Sequence, residues 1–203
     1  MAIHHIIFDL GNVLVDIFPE QTLQRFAHHC QEDADTLRRV YLSELHLKLM
    51  SGELSPTKFY HEMLKRFHCD LSYDQFTTIW KSLVGGPKPG IDALIHRIPN
   101  HIQLSVCSNT DVWHWQVALE KCSFFHRFKY FFLSFELGHL KPDPFCFQYM
   151  LQTLRADANQ CLFIDDTLEN IQTARRFGFH CLHADNADTI QNFLVNHGIL
   201  PPG

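Results

Sequence analysis

The chain has 203 residues, 46% hydrophobic and 19% charged, enough for one sizeable core with a small appended unit. Its 17 basic and 22 acidic residues give a formal charge of −5, and no lysine or arginine run interleaves with aromatics, so nothing recruits nucleic acid by charge. No apolar run approaches the ~20 residues that span a bilayer and no basic, then apolar, leader opens the chain, so no membrane partner and a cytoplasmic location are expected.

The first apolar run, IHHIIFD at 3 to 9, predicts a strand that ends at Asp9 and breaks again at Gly11 within FDLGNVLVD. From 17 to 87 the pattern becomes helical. Leu23, Phe26, Ala27 and Cys30 recur at helical spacing, as do Phe59, Tyr60, Met63, Leu64 and Phe67, then Phe76, Ile79, Trp80 and Leu83. Pro19 and Pro56 suit first helical turns, Ser55 suits a cap, and Ser72 with Gln75 forms a capping-box signature. This region is expected to be a small helical bundle without strands, inserted after strand one and hinged near 16 to 19 and 85 to 90. Phe18, Tyr41, Phe59 and Trp80 are expected in the bundle core.

Four more short apolar runs follow: IQLSVCSN at 102 to 109, YFFLS at 130 to 134, CLFIDD at 161 to 166 and HCLHAD at 180 to 185. Strands separated by helix-length segments imply βαβ units and a parallel sheet. The fold class expected is α/β, a Rossmann-like parallel sheet core (1–16 and 88–203) with an inserted helical cap (17–87). The closing PPG is expected to fray. Three runs stop at polar clusters: Asp9, Ser108-Asn109 and Asp165-Asp166. Ligands of open α/β sheets bind beyond the carboxyl ends of the strands, where residues distant in sequence converge.

The seven cysteines are odd in number, scattered and never spaced as CxxC, which argues against a disulfide framework or a zinc site. The histidines His4/His5 and His28/His29 are adjacent pairs whose side chains point apart and chelate one ion poorly. Taken singly, Asp9 reads as a turn residue, Ser108 to Asp111 and Asp165-Asp166 as helix caps, and Lys141 as a surface lysine.

In order, however, FDLGNVLVD, CSNT, LKPDPFCF and FIDDTLENI resemble the four motifs of the haloacid dehalogenase superfamily of aspartate-nucleophile hydrolases. The helical insert lies where that superfamily places a cap. The glycine after Leu10 and the SGELS segment resemble a branch of bacterial sugar-phosphate phosphatases similar to α-glucose-1-phosphatases. The resemblance implies that Asp9 attacks phosphorus to form an aspartyl phosphate, with Mg²⁺ as cofactor held by Asp9, the Gly11 carbonyl, Asp165 and Asp166, Asp166 being the direct ligand of the pair. It implies that Ser108 donates to a phosphoryl oxygen and that Lys141 screens nucleophile and phosphate, with Pro142 keeping its loop extended. Asn109 and Asn170 stand next in line for substrate contact and for orienting the acidic pair. The partner implied is a small phosphorylated substrate, acted on by a monomer or small homo-oligomer.

Alternatives within the resemblance are a phosphomutase or phosphotransferase, a metal-free dehalogenase, and a phosphate-binding regulator without turnover. Two adjacent carboxylates are costly without a cation, which weighs against the dehalogenase. Gly11 stands where the superfamily's phosphatases carry an acid/base aspartate. Without that group, substrates whose departing oxygen needs little protonation are favoured, unless Asp16 or Glu53 supplies the proton.

Overall fold

The computed structural model describes residues 3–30, 32–41 and 43–201; of the end expected to fray, 201–203, the last two residues lie outside them. Five parallel strands form the central sheet: β1 (His5–Phe8), β4 (Gln103–Ser108), β5 (Phe128–Leu133), β6 (Cys161–Asp165) and β7 (His180–His183), in the order β5-β4-β1-β6-β7. Each was expected from an apolar run. The reason is that a parallel sheet is covered on both faces, so its strands are continuously hydrophobic. Along β1, Ile6 and Phe8 enter one core cluster and Ile7 the opposite one; Leu162 and Ile164 against Phe163 divide β6 the same way.

The chain leaves β1 toward β4 and β5 on one side, then returns to β6 and β7 on the other. The crevice between β1 and β6 is therefore the topological switch point, the place where this architecture binds ligands. Phe8 lies level with Ile164 and Val106, so the residues that follow these positions emerge at one edge.

Five helices, Pro19–Cys30, Ala34–Tyr41, Glu44–Met50, Pro56–Phe67 and Tyr73–Lys81, make the inserted bundle. Ser55 caps the fourth through the Lys58 amide, and Ser72 with Gln75 closes the expected capping box on the fifth. Phe26, Phe59, Phe67, Phe76 and Trp80 fill the bundle, joined by Trp113 from helix Val112–Lys121, which directly follows β4. Gly52 in the SGELS segment has φ +72°, and a Cβ there would collide with the Phe135 carbonyl, so the bundle rests on the core through bare backbone.

Three expectations are corrected. No strand is expected between 17 and 87, yet β2 (Val15–Ile17) and β3 (Val84–Pro87) pair antiparallel where the chain enters and leaves the insert. The ribbon is too short to show alternation, and it contains Gly-Gly-Pro, which reads as a turn. Gly85 is there for space: a Cβ would stand 2.7 Å from Phe18 Cε2 and 3.0 Å from Asp16 Cβ. Phe18, expected in the bundle core, is instead 37% exposed, because it follows the ribbon and precedes the first buried helical turn. Finally, Cys30 and Cys69 form a disulfide across 39 positions, with Cα atoms 4.7 Å apart. Helix Pro19–Cys30 ends beside the turn after Pro56–Phe67, a proximity that spacing along the chain does not reveal.

Candidate active site

Asp9 follows β1, and its amide donates to the Ile164 carbonyl at 2.8 Å, which fixes it against β6. The Lys141 ammonium donates to Asp9 Oδ1 at 2.8 Å and to Asp165 Oδ2 at 2.6 Å, and it is 2% exposed, so one buried cation bridges two strand ends. The same Asp165 accepts from the Thr167 amide at 2.9 Å and from Asn170 Nδ2 at 3.0 and 3.1 Å on its two oxygens. Asp165 is thus fully engaged. The Asp166 carboxylate, more exposed, accepts only from Asn12 Nδ2 at 2.9 Å and the Thr167 hydroxyl at 3.3 Å among the described residues.

Asn109 uses both ends of its amide on the backbone of Lys141: Nδ2 donates to the carbonyl at 2.8 Å, and Oδ1 accepts from the amide at 2.7 Å. This makes it a positioning residue for the lysine. The Lys141–Pro142 peptide is cis. Ser134 holds the loop after β4 in the same reciprocal way, its hydroxyl accepting from the Thr110 amide and donating to the Thr110 carbonyl, both at 3.0 Å.

These groups surround a cavity of about 310 Å³ lined by Asp9, Gly11, Ser108, Asn109, Lys141 and Asp166, with Asn12 and Asn170 at its margin. Gly11 has no left-handed backbone, and a Cβ there would make ordinary contacts with Ile17 at 3.4 and 3.7 Å. Neither conformation nor space requires glycine at this position. Asp16 pairs with Lys88 at 3.3 Å and Glu53 accepts from the Ser51 hydroxyl at 3.0 Å, so the two substitutes considered for the missing acid are occupied elsewhere.

The electrostatics are those of three carboxylates around one ammonium. Burial pushes Asp9 up to about 7; Lys141 opposes that shift, and Asp165 and Asp166 reinforce it. Burial depresses Lys141, but the charges of Asp9 and Asp165 more than reverse this, so the lysine stays protonated. Asp9, Asp165 and Asp166 each offer an oxygen, all within 4.8 Å of one another, so the cluster could hold a metal ion. An all-oxygen set with surplus negative charge fits a hard divalent cation.

Some participants were not visible in the sequence. Asn12, with φ 58°, turns back to fix Asp166; its only signal is an asparagine placed where asparagine tolerates the left-handed region. Asp111 caps helix Val112–Lys121 through the Trp113 and His114 amides, as an expected cap residue should. It also accepts from the Trp80 indole at 3.0 Å and from His114 Nδ1 at 2.8 Å, tying cap to core.

The haloacid dehalogenase-like hydrolase family matches residues 3–178. The chain belongs to that family. It is an enzyme of the hydrolase class, and the parallel sheet with its helical insert is the family's fold. A D-ribitol-5-phosphate phosphatase from Bacteroides thetaiotaomicron is 27% identical over 201 residues, covering 95% of this chain and 98% of that one. A crystal structure of a haloacid dehalogenase family enzyme from the same organism, in complex with magnesium and inorganic phosphate, superposes with TM-score 0.80 at 22% identity, over 89% of this chain and 93% of that one. A dehalogenase with an intermediate complex superposes less closely, with TM-score 0.64 at 17% identity over 89% of this chain and 84% of that one.

Proposed function

We propose that the protein is a magnesium-dependent phosphatase that cleaves a small sugar or polyol phosphate through an aspartyl phosphate on Asp9. The observation that carries this reading is Asp9 at the mouth of the β1/β6 crevice, held on one oxygen by Lys141 and flanked by two further carboxylates. Among the described residues Asp9 Oδ2 has no hydrogen-bond partner, which leaves it free to attack. The Bacteroides relative, named for a polyol phosphate and matching nearly end to end, supports the substrate class.

Asp9 Oδ2 forms a bond to phosphorus as the bond from phosphorus to the ester oxygen breaks, and the departing oxygen takes a proton. Water then cleaves the acyl phosphate, returning the carboxylate and releasing inorganic phosphate. Splitting the displacement in two is the gain of a covalent nucleophile. Lys141 keeps Asp9 oriented and places a positive charge beside the transferring group, while Ser108, which lines the same cavity, would donate to a nonbridging oxygen. Magnesium, held by Asp9, Asp166 and the Gly11 carbonyl, would offset the repulsion between carboxylate and phosphate. Asp165 works through Lys141. The acidic surplus is what opposes a metal-free dehalogenase at this site.

Phosphate release from a panel of sugar and polyol phosphates, with Mg²⁺ and with EDTA, tests the reading. Turnover should require the ion and disappear in Asp9→Asn, whose fold is checked by its melting curve. Release undiminished by EDTA or by Asp9→Asn refutes the mechanism.

A further inference from the structure

Behind Gly11 lies a second cavity, of about 120 Å³, between the cap and the core. It shares Gly11, Ile17, Ser108 and Asn109 with the cavity in front of Asp9, so the two are neighbouring compartments of one site. Met50, Leu83 and Val84 give it apolar walls, and Tyr41, His46 and His114 supply polar edges. No lysine, arginine, aspartate or glutamate lines it among the described residues.

His46, from helix Glu44–Met50, is 7% exposed. Its ring lies 4.7 Å from Tyr41 and stands perpendicular to Trp80 at 5.1 Å, so its orientation is set by packing. Nδ1 lies 3.1 Å from the Tyr41 carbonyl, which can only accept, so Nδ1 carries the hydrogen. Burial, partly opposed by the charge of Asp111, holds the imidazole's protonation down to about 4, so the ring is neutral at physiological pH. Nε2 is then a bare acceptor, and this buried atom has no partner. Buried polar atoms without partners are rare and costly enough to call for an explanation. His114 is different: both its nitrogens are taken, by Asp111 and by the Trp80 carbonyl at 2.9 Å.

We propose that His46 is a specificity-determining residue whose Nε2 accepts a hydrogen bond from a hydroxyl of the substrate's leaving group, seated in the cavity behind Gly11. The proposal rests on the phosphatase reading and narrows it. The leaving group is small, uncharged and hydroxylated, a short polyol or a monosaccharide. A second phosphate, an ammonium or a carboxylate would enter a compartment whose charged His114 ring already spends both its N–H groups on Asp111 and the Trp80 carbonyl, so its desolvation cost is not offset. Nε2 is already shut away from water, so a leaving group with the hydroxyl gains a bond there that an analogue without one cannot make, and a site built around a hydroxyl discriminates strongly against such analogues.

The test compares a five-carbon polyol phosphate with pentyl phosphate, which has the same length and charge and no hydroxyls. Affinities are measured by calorimetry on the turnover-blocked Asp9→Asn protein with Mg²⁺, and kcat/KM on the parent. The polyol ester should be preferred by roughly 10- to 100-fold, the usual range for leaving one buried polar atom unpaired. Adding His46→Phe, which keeps the aromatic packing, should shrink that preference at least fivefold in both measurements, while inorganic phosphate still binds. His46→Gln, which can present an acceptor, should restore part of it. A preference near one in the parent, or one unchanged by His46→Phe, overturns the proposal. If no phosphoester is turned over but the calorimetric preference and its loss in His46→Phe hold, the phosphatase reading fails and the recognition by His46 stands.

Discussion

Asp111→Ala should loosen the cap from the core more than any surface change. Asp111 is fully buried and accepts four hydrogen bonds: the Trp113 and His114 amides at 2.9 and 3.1 Å, the Trp80 indole at 3.0 Å and His114 Nδ1 at 2.8 Å. Burial alone would raise its protonation, but the charge and hydrogen bonds of His114, with the Trp80 indole, override this and hold the carboxyl at about 2. Against the ordinary value of 3.8 that difference is worth about 2 kcal/mol of folding stability, at ~1.4 kcal/mol per pH unit. The group's folded value is depressed, so this stability is present above pH 3.8 and lost as pH falls through 2. Deleting the side chain goes further, because it strands His114 and the indole in the interior. Breaking a buried pair costs about 3–5 kcal/mol, and a lost helix cap about 1. These effects share atoms, so we expect about 4 kcal/mol at pH 7, a large part of the ~5–15 kcal/mol of an ordinary domain. Urea unfolding at pH 7 should show it. At pH 3 the gap between the parent and Asp111→Asn should be smaller than at pH 7. A cost below about 1.5 kcal/mol at pH 7, or a gap that widens on acidification, would refute this account of the cap's attachment.

Other expectations can be checked with the same protein. Lys141→Met leaves Asp9 and Asp165 facing each other without their shared cation; it should cost about 3–5 kcal/mol in urea unfolding, with part recovered on adding Mg²⁺, and reduce kcat at least 100-fold. Gly11→Asp should fold normally, since its Cβ makes only ordinary contacts, and should raise kcat/KM for primary alkyl phosphates at least tenfold while aryl phosphates gain little. An equal effect on both classes would mean that proton supply is not what Gly11 lacks. Cys30→Ser should lower stability by roughly 4 kcal/mol in oxidising buffer, from closing a loop of 39 positions, and by much less in dithiothreitol. A matching loss under both conditions would point to packing instead of the bond.

The sheet was legible because parallel strands covered on both faces must be apolar throughout, and CLFID, buried at every position, announces itself. Asp9, Ser108 and Asp165-Asp166 stood out because such strands end there, whereas Lys141, well past the end of β5, was marked only by the motif around it. What the chain concealed depends on closure in three dimensions. The β2/β3 ribbon joins residues some seventy positions apart through glycines that signal a turn. The Cys30–Cys69 bond joins the ends of two helices, and neither cysteine carries a local mark. Asn109, a candidate for substrate contact or for orienting the acidic pair, spends its amide on the backbone of Lys141, 32 positions away, a pairing that only the folded loops create. His46 lies in the inserted region with no sequence pattern that singles it out, and its unpaired nitrogen could be seen only once Tyr41 and Trp80 were packed around it.

The adjacent aspartates illustrate how one dipeptide is divided by position. Asp165 ends β6 with its side chain buried, where an ionised carboxylate survives only if its oxygens are paired; Lys141, Thr167 and Asn170 meet that requirement. Asp166 comes one residue later, past the strand's last ladder position, and its carboxylate faces the open cavity, with Asn12 steering it from across the crevice. A buried ammonium shared by Asp9 and Asp165 neutralises one of their two charges, so the remaining negative charge lies toward Asp166, on the side where a divalent cation can approach from solvent. Exchanging the two roles would require Asp165 to give up its partners in the interior. Asp165 holds the lysine, and the asymmetry in burial supports the proposal that Asp166 holds the ion: Asp166→Asn should weaken Mg²⁺ binding, measured by calorimetry, with little change in the unfolding midpoint, while Asp165→Asn should lower both.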